Sequence, residues 1–254
     1  NGIRYAMSEP ILNVSNLAVA FYGTKVVDDV SFHVDRGETL AIVGESGSGK
    51  SVTNLSLMRL IPSPPGRIVN GSVLFNGDDV LTMSDTRVRD IRGNKISMIF
   101  QDPISSLNPR RRVRDIVGEG LVIWQDDKGG SSSRARVDEV LNAVGIEPEV
   151  AADRRPHEFS GGQCQRISIA RAVAIEPEIL ICDEPASALD VSVQAQVINL
   201  LEDLQKEFGL SYLIIAHDLS VVRHISHRIA VMYLGKIVEI ADNEGLLGDP
   251  LHPR

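Results

Sequence analysis

Short runs rich in β-branched residues open the chain, at Ile11 to Phe21, Lys25 to Val34 and Thr39 to Val43. They predict strands, the first two joined by a turn at Gly23. After Gly44 the apolar spacing changes to a helical period from Lys50 to Leu60, stopped by Pro62, Pro64, Pro65 and Gly66. Val69 to Phe75 alternates and ends at the turn signal Asn76-Gly77, and Lys95 to Phe100 reads as a buried strand. From Arg112 to Val173 the period is helical, broken by polar loops at Asp126 to Ser133 and Asp153 to Ser160. Strands return at Ile179 to Cys182 and Tyr212 to Ala216 with the helix Val191 to Phe208 between them, which is the β-α-β order of a parallel sheet. The last strands predicted are Arg228 to Tyr233 and Lys236 to Ile240. The whole pattern describes an α/β core with an antiparallel β portion and a helical insertion.

Of the 254 residues, 43% are hydrophobic and 24% charged, enough apolar side chain for a large core, so the chain is not globally disordered. The net charge of -8 argues against a surface built to neutralise nucleic-acid phosphates. No run approaches the ~18 apolar residues of a membrane-spanning helix. Cys164 and Cys182 are the only cysteines, so neither a disulfide framework nor a zinc spacing is present, and a reducing compartment fits. Residues 1–10 are set aside as an appended remnant or flexible N-terminus. The stretch Asp249 to Arg254 stops without a closing element and reads as a truncation.

Gly44-Glu45-Ser46-Gly47-Ser48-Gly49-Lys50-Ser51 follows an apolar strand and opens a helix, the context that a phosphate loop requires. Glycines let successive backbone N–H groups turn toward phosphate oxygens at a helix N-terminus, whose partial positive charge favours anions. Lys50 would bridge the terminal phosphates and Ser51 would ligate magnesium, with the loop's contacts running on into Val52. Ile179 to Cys182 leads into Asp183 and Glu184 at the C-terminal edge of the predicted parallel sheet, where ligands of open α/β folds gather. Asp183 would join the magnesium shell, and Glu184 would orient or deprotonate an attacking water. Phe159-Ser160-Gly161-Gly162-Gln163 precedes a helix, with Ser160 placed as an N-cap.

This set, in this order, resembles the ATP-binding subunits of ABC transporters: the phosphate loop, FSGGQ, ILICDE, and His217 after the strand Leu213 to Ala216. The resemblance covers about Ile11 to Pro253 as a single ATP-binding domain. It implies an α/β, P-loop NTPase core (RecA-like mixed sheet) with an antiparallel β subdomain and an inserted α-helical subdomain at about residues 102–173. The cofactors it implies are ATP and Mg2+. Catalytic roles carry over to Glu184, His217, Gln101 and Lys50, and metal contacts to Ser51, Gln101 and Asp183. Nucleotide contacts carry over to Tyr22, which matches the aromatic that stacks on adenine, to the phosphate loop, to Ser160, Gly161, Gly162 and Gln163, and to Asp190 of Ala188-Leu189-Asp190. Asp190 also fits a helix N-cap and could serve both ends.

In that family two such subunits close head to tail, Ser160 and the N–H groups of Gly161 and Gly162 reaching the ATP held by the other subunit's phosphate loop. Gln101-Asp102-Pro103 with Ile104-Ser105-Ser106-Leu107-Asn108-Pro109, Glu45-Ser46-Gly47-Ser48 and Pro250-Leu251-His252-Pro253 resemble the importer subfamily for dipeptides, oligopeptides and nickel. The expected partners are therefore a second ATP-binding subunit, two transmembrane permease subunits and, indirectly, an extracytoplasmic substrate-binding protein. No nucleic acid is expected, and the place of action is the cytoplasmic face of the membrane. Arg110, Arg111, Arg112 and Arg114 either border the permease groove or form a solvated helix face. Two other readings fit the motifs less well. A DNA- or ribosome-acting relative is disfavoured by the 110 residues between Gly49 and Ser160, which carry no sustained heptads. A degenerate subunit without hydrolysis is disfavoured by Glu184 and His217. The chain departs from the family pattern at Phe159 and Cys164, neither of which removes a phosphate contact.

Overall fold

Apolar residues that alternate on one face build the first sheet, while runs buried on both faces build the second. The computed structural model describes residues 9–124, 130–217, 219–243 and 245. The expectations for residues 1–8, for the start of the loop at Asp126 and for Asp249 to Arg254 lie outside them.

Strands β1 (Leu12–Phe21), β2 (Thr24–Val34), β4 (Gly66–Phe75) and β5 (Asp78–Asp79) form an antiparallel sheet in the order β2-β1-β4-β5. The second sheet, ordered β10-β9-β3-β8-β7-β6, comprises β3 (Thr39–Val43), β6 (Ile96–Ile99), β7 (Ile179–Asp183), β8 (Ser211–Ala216), β9 (Arg228–Tyr233) and β10 (Lys236–Asp242). Its pairs are parallel except the β9–β10 hairpin. Every residue of β3, β7 and β8 is buried, the continuous apolar signature of a sheet covered on both faces. Leu213 and Ile215 of β8 face the core shared with the first sheet and α1 (Lys50–Leu57). Tyr212 and Ile214 face the helices on the other side.

Those helices are α3 (Pro103–Ser106), α4 (Val113–Val117), α5 (Glu119–Trp124), α6 (Ser131–Ala143), α7 (Pro148–Asp153), α8 (Gly161–Val173) and α9 (Val191–Phe208). Their common core holds Val113, Leu121, Val140, Ile167 and Leu201.

The structure corrects several expected boundaries. Helix α1 ends at Leu57, not Leu60, because Arg59 turns left-handed at φ 51 and the Leu60 N–H folds back on the Leu55 carbonyl at 2.8 Å. Strand β4 begins at Gly66 rather than Val69, since Gly66 and Arg67 pair with Phe21 and Ala20 of β1. The loop expected to last until Ser133 is already helical at Ser131, and the helical stretch breaks again at residues 144–147. Two further helices, α2 (Asp85–Ile91) and α10 (Leu219–Ile225), have no counterpart in the reading of the sequence. Helix α2 buries only Val88 and so has no apolar stripe to read, although Ser84 caps it by accepting from the Arg87 N–H.

Candidate functional site

The loop after β3 is held between β2 and the β9–β10 turn. A Cβ on Gly44 would lie 2.1 Å from the Met232 carbonyl oxygen, and one on Gly49 would lie 2.8 Å from that of Val26. The Gly235 N–H donates to the Ser48 carbonyl at 2.9 Å, and the Asp28 N–H to the Gly235 carbonyl at 2.8 Å. These glycines therefore meet a steric demand as well as a conformational one, Gly49 at φ 104 being left-handed too. Gly49 is also the N-cap of α1 and brings no capping side chain, so the first N–H groups of the helix stay open to an anion.

Lys50, 6% exposed, turns back into this loop, its Nζ donating to the Gly44 and Glu45 carbonyls at 2.6 and 2.9 Å. Burial pushes its ammonium pKa down, while the carboxylates of Glu184 and Asp183 act in the opposite sense. The Ser48 hydroxyl is buried with no hydrogen-bond partner among the described residues. A cradle that admits only glycine, an inward ammonium and an unpartnered hydroxyl together suit a phosphate chain.

The Ser51 hydroxyl lies 3.2 Å from Asp183 Oδ1, at the last position of β7. Burial raises the Asp183 pKa and Glu184 adds to the rise, against the Ser51 hydrogen bond and the Lys50 charge. A hydroxyl and a half-desolvated carboxylate form the hard oxygen donor set that magnesium takes, so these residues fit the ion.

At the next position the chain leaves the strand: Glu184 has φ 49, and its N–H donates to the Ile215 carbonyl at 3.0 Å. Gln101, just beyond β6, donates through Nε2 to Glu184 Oε2 at 3.1 Å. His217, just beyond β8, has its Nδ1 3.4 Å from the same oxygen. Three adjacent parallel strands thus deliver Gln101, Glu184 and His217 to one point at the carboxyl edge of the sheet. A carboxylate held between an amide and an imidazole can accept a proton from a water and keep its orientation.

Ser160 caps α8 in a capping box: its hydroxyl accepts from the Gln163 N–H at 3.3 Å, and Gln163 Oε1 accepts from the Ser160 N–H at 2.9 Å. Among the described residues no hydrogen bond joins Ser160, Gly161, Gly162 or Gln163 to the phosphate loop. Tyr22, at φ 50 in the β1–β2 turn, is 89% exposed and stands outside the cluster. Asp190 occupies the N-cap position of α9, as its residue type allows, but its carboxylate makes no cap bond. The Cys164 thiol is buried, its pKa raised by that burial, and it sits 3.4 Å from the Pro156 carbonyl as an ordinary packed residue.

Sequence reasoning missed Gly235 and Met232, which brace the phosphate loop, and Ser187 and Gln194, which share a small cavity with Glu184 and His217. The left-handed hairpin Leu234-Gly235 was legible as a turn, but nothing local to it reveals what it touches.

The family model for ABC transporters matches residues 27–187. The chain is 52% identical over 251 residues to the oligopeptide transport ATP-binding protein OppF of Bacillus subtilis (strain 168), covering 97% of this chain and 80% of that protein. Its fold is similar to that of cbiO1 from Clostridium perfringens, described as part of the ABC transporter complex cbiONQ. The TM-score is 0.82 at 28% identity, over 95% of this chain and 92% of the other. It is also similar to the dimeric post-hydrolysis state of the ATP-binding cassette MJ0796 bound to ADP and Pi, at TM-score 0.80 and 28% identity, over 92% and 99% of the two chains.

Proposed function

We propose that this chain, which belongs to the ABC transporter family, is the ATP-binding and ATP-hydrolysing subunit that powers an importer of short peptides. The observation that carries the catalytic half of this reading is the convergence of Gln101 and His217 on one oxygen of Glu184. The oligopeptide half rests on the 52% identity to OppF.

Residues 11–254 act as one ATP-binding domain, with residues 102–173 as its helical subdomain. ATP enters with its adenine over the exposed ring of Tyr22 and its phosphates in the loop Gly44 to Val52. Lys50 leaves the Gly44 and Glu45 carbonyls for the phosphate oxygens, exchanging two neutral acceptors for charged ones. Ser51, Gln101 and Asp183 hold Mg2+, which when bound neutralises phosphate charge. Glu184 accepts the proton of the attacking water, while Gln101 and His217 keep that carboxylate aimed.

A single chain leaves Ser160 to Gln163 without a ligand on its own phosphate loop. These residues and Asp190 serve the ATP of a second subunit packed head to tail, and the Gly161 and Gly162 N–H groups, which the capping box at Ser160 does not use, suit a terminal phosphate. Loss of that phosphate on hydrolysis removes the shared anion and reopens the pair. No helix of the described residues is long and apolar enough to cross a membrane. The likeness to an oligopeptide transport ATP-binding protein supports assigning translocation to two permease subunits, with this chain at their cytoplasmic face. An extracytoplasmic binding protein presents the solute.

The test is to purify the chain with its permease subunits in vesicles and supply binding protein loaded with short peptides or with nickel. Peptide-dependent acceleration of ATP turnover is the expected result. Acceleration by nickel alone would move the cargo assignment, and no ATP turnover at all would overturn the whole reading.

A further inference from the structure

Gln194 lies in the first turn of α9, and its Nε2 donates to the Leu189 carbonyl at 2.9 Å. The bond runs backward from the helix onto the segment Ala186 to Asp190 that connects β7 to it. Among the described residues the Asp190 carboxylate makes no cap bond, and the Gln194 carboxamide ties this segment to α9. Gln194 also walls a cavity of about 20 Å³ together with Glu184, Ser187, His217 and Val221, room for about one water.

The segment has two neighbours that matter. Toward the reaction centre, the Ser187 N–H and hydroxyl donate to the Glu184 carbonyl at 3.2 and 3.1 Å, and the Leu189 N–H donates to Ala186 at 3.1 Å. This chain of local bonds begins at Glu184 and ends at Leu189. Toward the helical subdomain, a Cβ on Gly161 would stand 4.0 Å from Leu189 Cδ2, and one on Gly162 would stand 2.7 Å from Val193 Cγ1. Leu189 and Val193 therefore abut the N-terminus of α8, at so close an approach that Gly162 has no room for a side chain.

We propose that Gln194 is a positioning residue which, by holding Leu189, keeps Glu184 and the Ser160 end of α8 in a fixed relation and so couples turnover at one ATP to closure on the ATP of the second subunit. The inference rests on the function proposed above and deepens it. Among the described residues no hydrogen bond joins Gln194 to the phosphate loop, so nucleotide affinity is independent of it. What depends on it is the alignment of Glu184 with the closing face.

Two variants test this in the purified chain. Gln194→Leu removes the donor at nearly constant volume, and Gln194→Glu sets an acceptor against the Leu189 carbonyl. Each is expected to lower kcat about tenfold, the equivalent of one hydrogen bond of ordinary net strength, with KM for ATP held within about twofold. In the Glu184→Gln background, at saturating ATP, each should also raise by about tenfold the protein concentration at which the chain dimerises, read by light scattering. A kcat within twofold of the parent in both variants overturns the proposal. So does a fall in kcat accompanied by a parallel rise in KM and loss of melting temperature, which is the mark of a merely structural residue. A parent chain without ATP turnover overturns instead the function on which the proposal rests, so the two failures are distinguishable.

Discussion

Gln101 Nε2 and Glu184 Oε2 meet at 3.1 Å although 83 positions separate the two residues in the chain. The contact joins the start of the helical insertion to the residue that follows β7, so the insertion and the carboxylate are in direct contact. Glu184→Gln keeps the shape of the side chain and removes its capacity to take a proton. Turnover is expected to fall at least about 100-fold, the lower range for loss of a general base, while ATP still binds and still drives dimerisation. Single-turnover hydrolysis and light scattering on the same sample check this, and retained turnover would remove Glu184 from the role of base.

Lys50 stands next to that carboxylate but is paired elsewhere, with the Gly44 and Glu45 carbonyls. Its ammonium is already desolvated, so exchanging two carbonyls for phosphate oxygens carries little further desolvation cost. Lys50→Ala is expected to weaken ATP binding by about 100-fold, close to 2.7 kcal/mol, in a fluorescent-nucleotide titration. Unchanged affinity would mean that the loop does not hold phosphate.

Much of this was legible in the chain because the responsible residues are neighbours in sequence. The loop Gly44 to Ser51 needs only its own glycines and the helix behind it, and β7 and β8 declare themselves by unbroken apolar runs. What stayed hidden depends on tertiary approach. The Gly162–Val193 contact links residues whose local patterns say only helix start and helix turn. The Asp190 carboxylate, a good cap by residue type, stands uncapped while Gln194 ties the loop that precedes it, a choice that propensity does not encode. Tyr22 gave a turn and an aromatic, yet in the single chain it packs on nothing that would identify it.

The phosphate loop also predicts a contrast between two glycines. A Cβ at Gly44 meets the backbone oxygen of Met232 at 2.1 Å, whereas one at Gly47, φ 80, meets nothing within 4 Å. Backbone cannot swing aside as a flexible side chain can. Gly44→Ala is therefore expected to destabilise the fold by at least about 3 kcal/mol. Gly47→Ala should cost only the left-handed conformation, about 1–2 kcal/mol. Denaturant midpoints of the two variants check the order, and equal losses would contradict the close approach of β9 to the loop.

Asp183 couples metal binding to pH. Burial pushes its carboxyl above the ordinary value of 3.8, Ser51 pulls it back through a hydrogen bond, and Glu184 adds to the rise. The folded chain thus binds this proton more tightly than the unfolded chain does. The group costs stability above the raised pKa, and that cost disappears as the pH falls through it toward the ordinary value. Magnesium needs the deprotonated form, so the same protonation opposes the ion. The Mg2+ concentration that half-stabilises the ADP-bound chain in a thermal melt is therefore expected to climb as pH is lowered from neutrality toward that raised value. Asp183→Asn removes the buried charge. It should raise the melting temperature of the nucleotide-free chain at neutral pH, weaken the Mg2+ effect and flatten its dependence on pH. A Mg2+ requirement with the same pH slope in Asp183→Asn as in the parent would show that the ion is held by other groups.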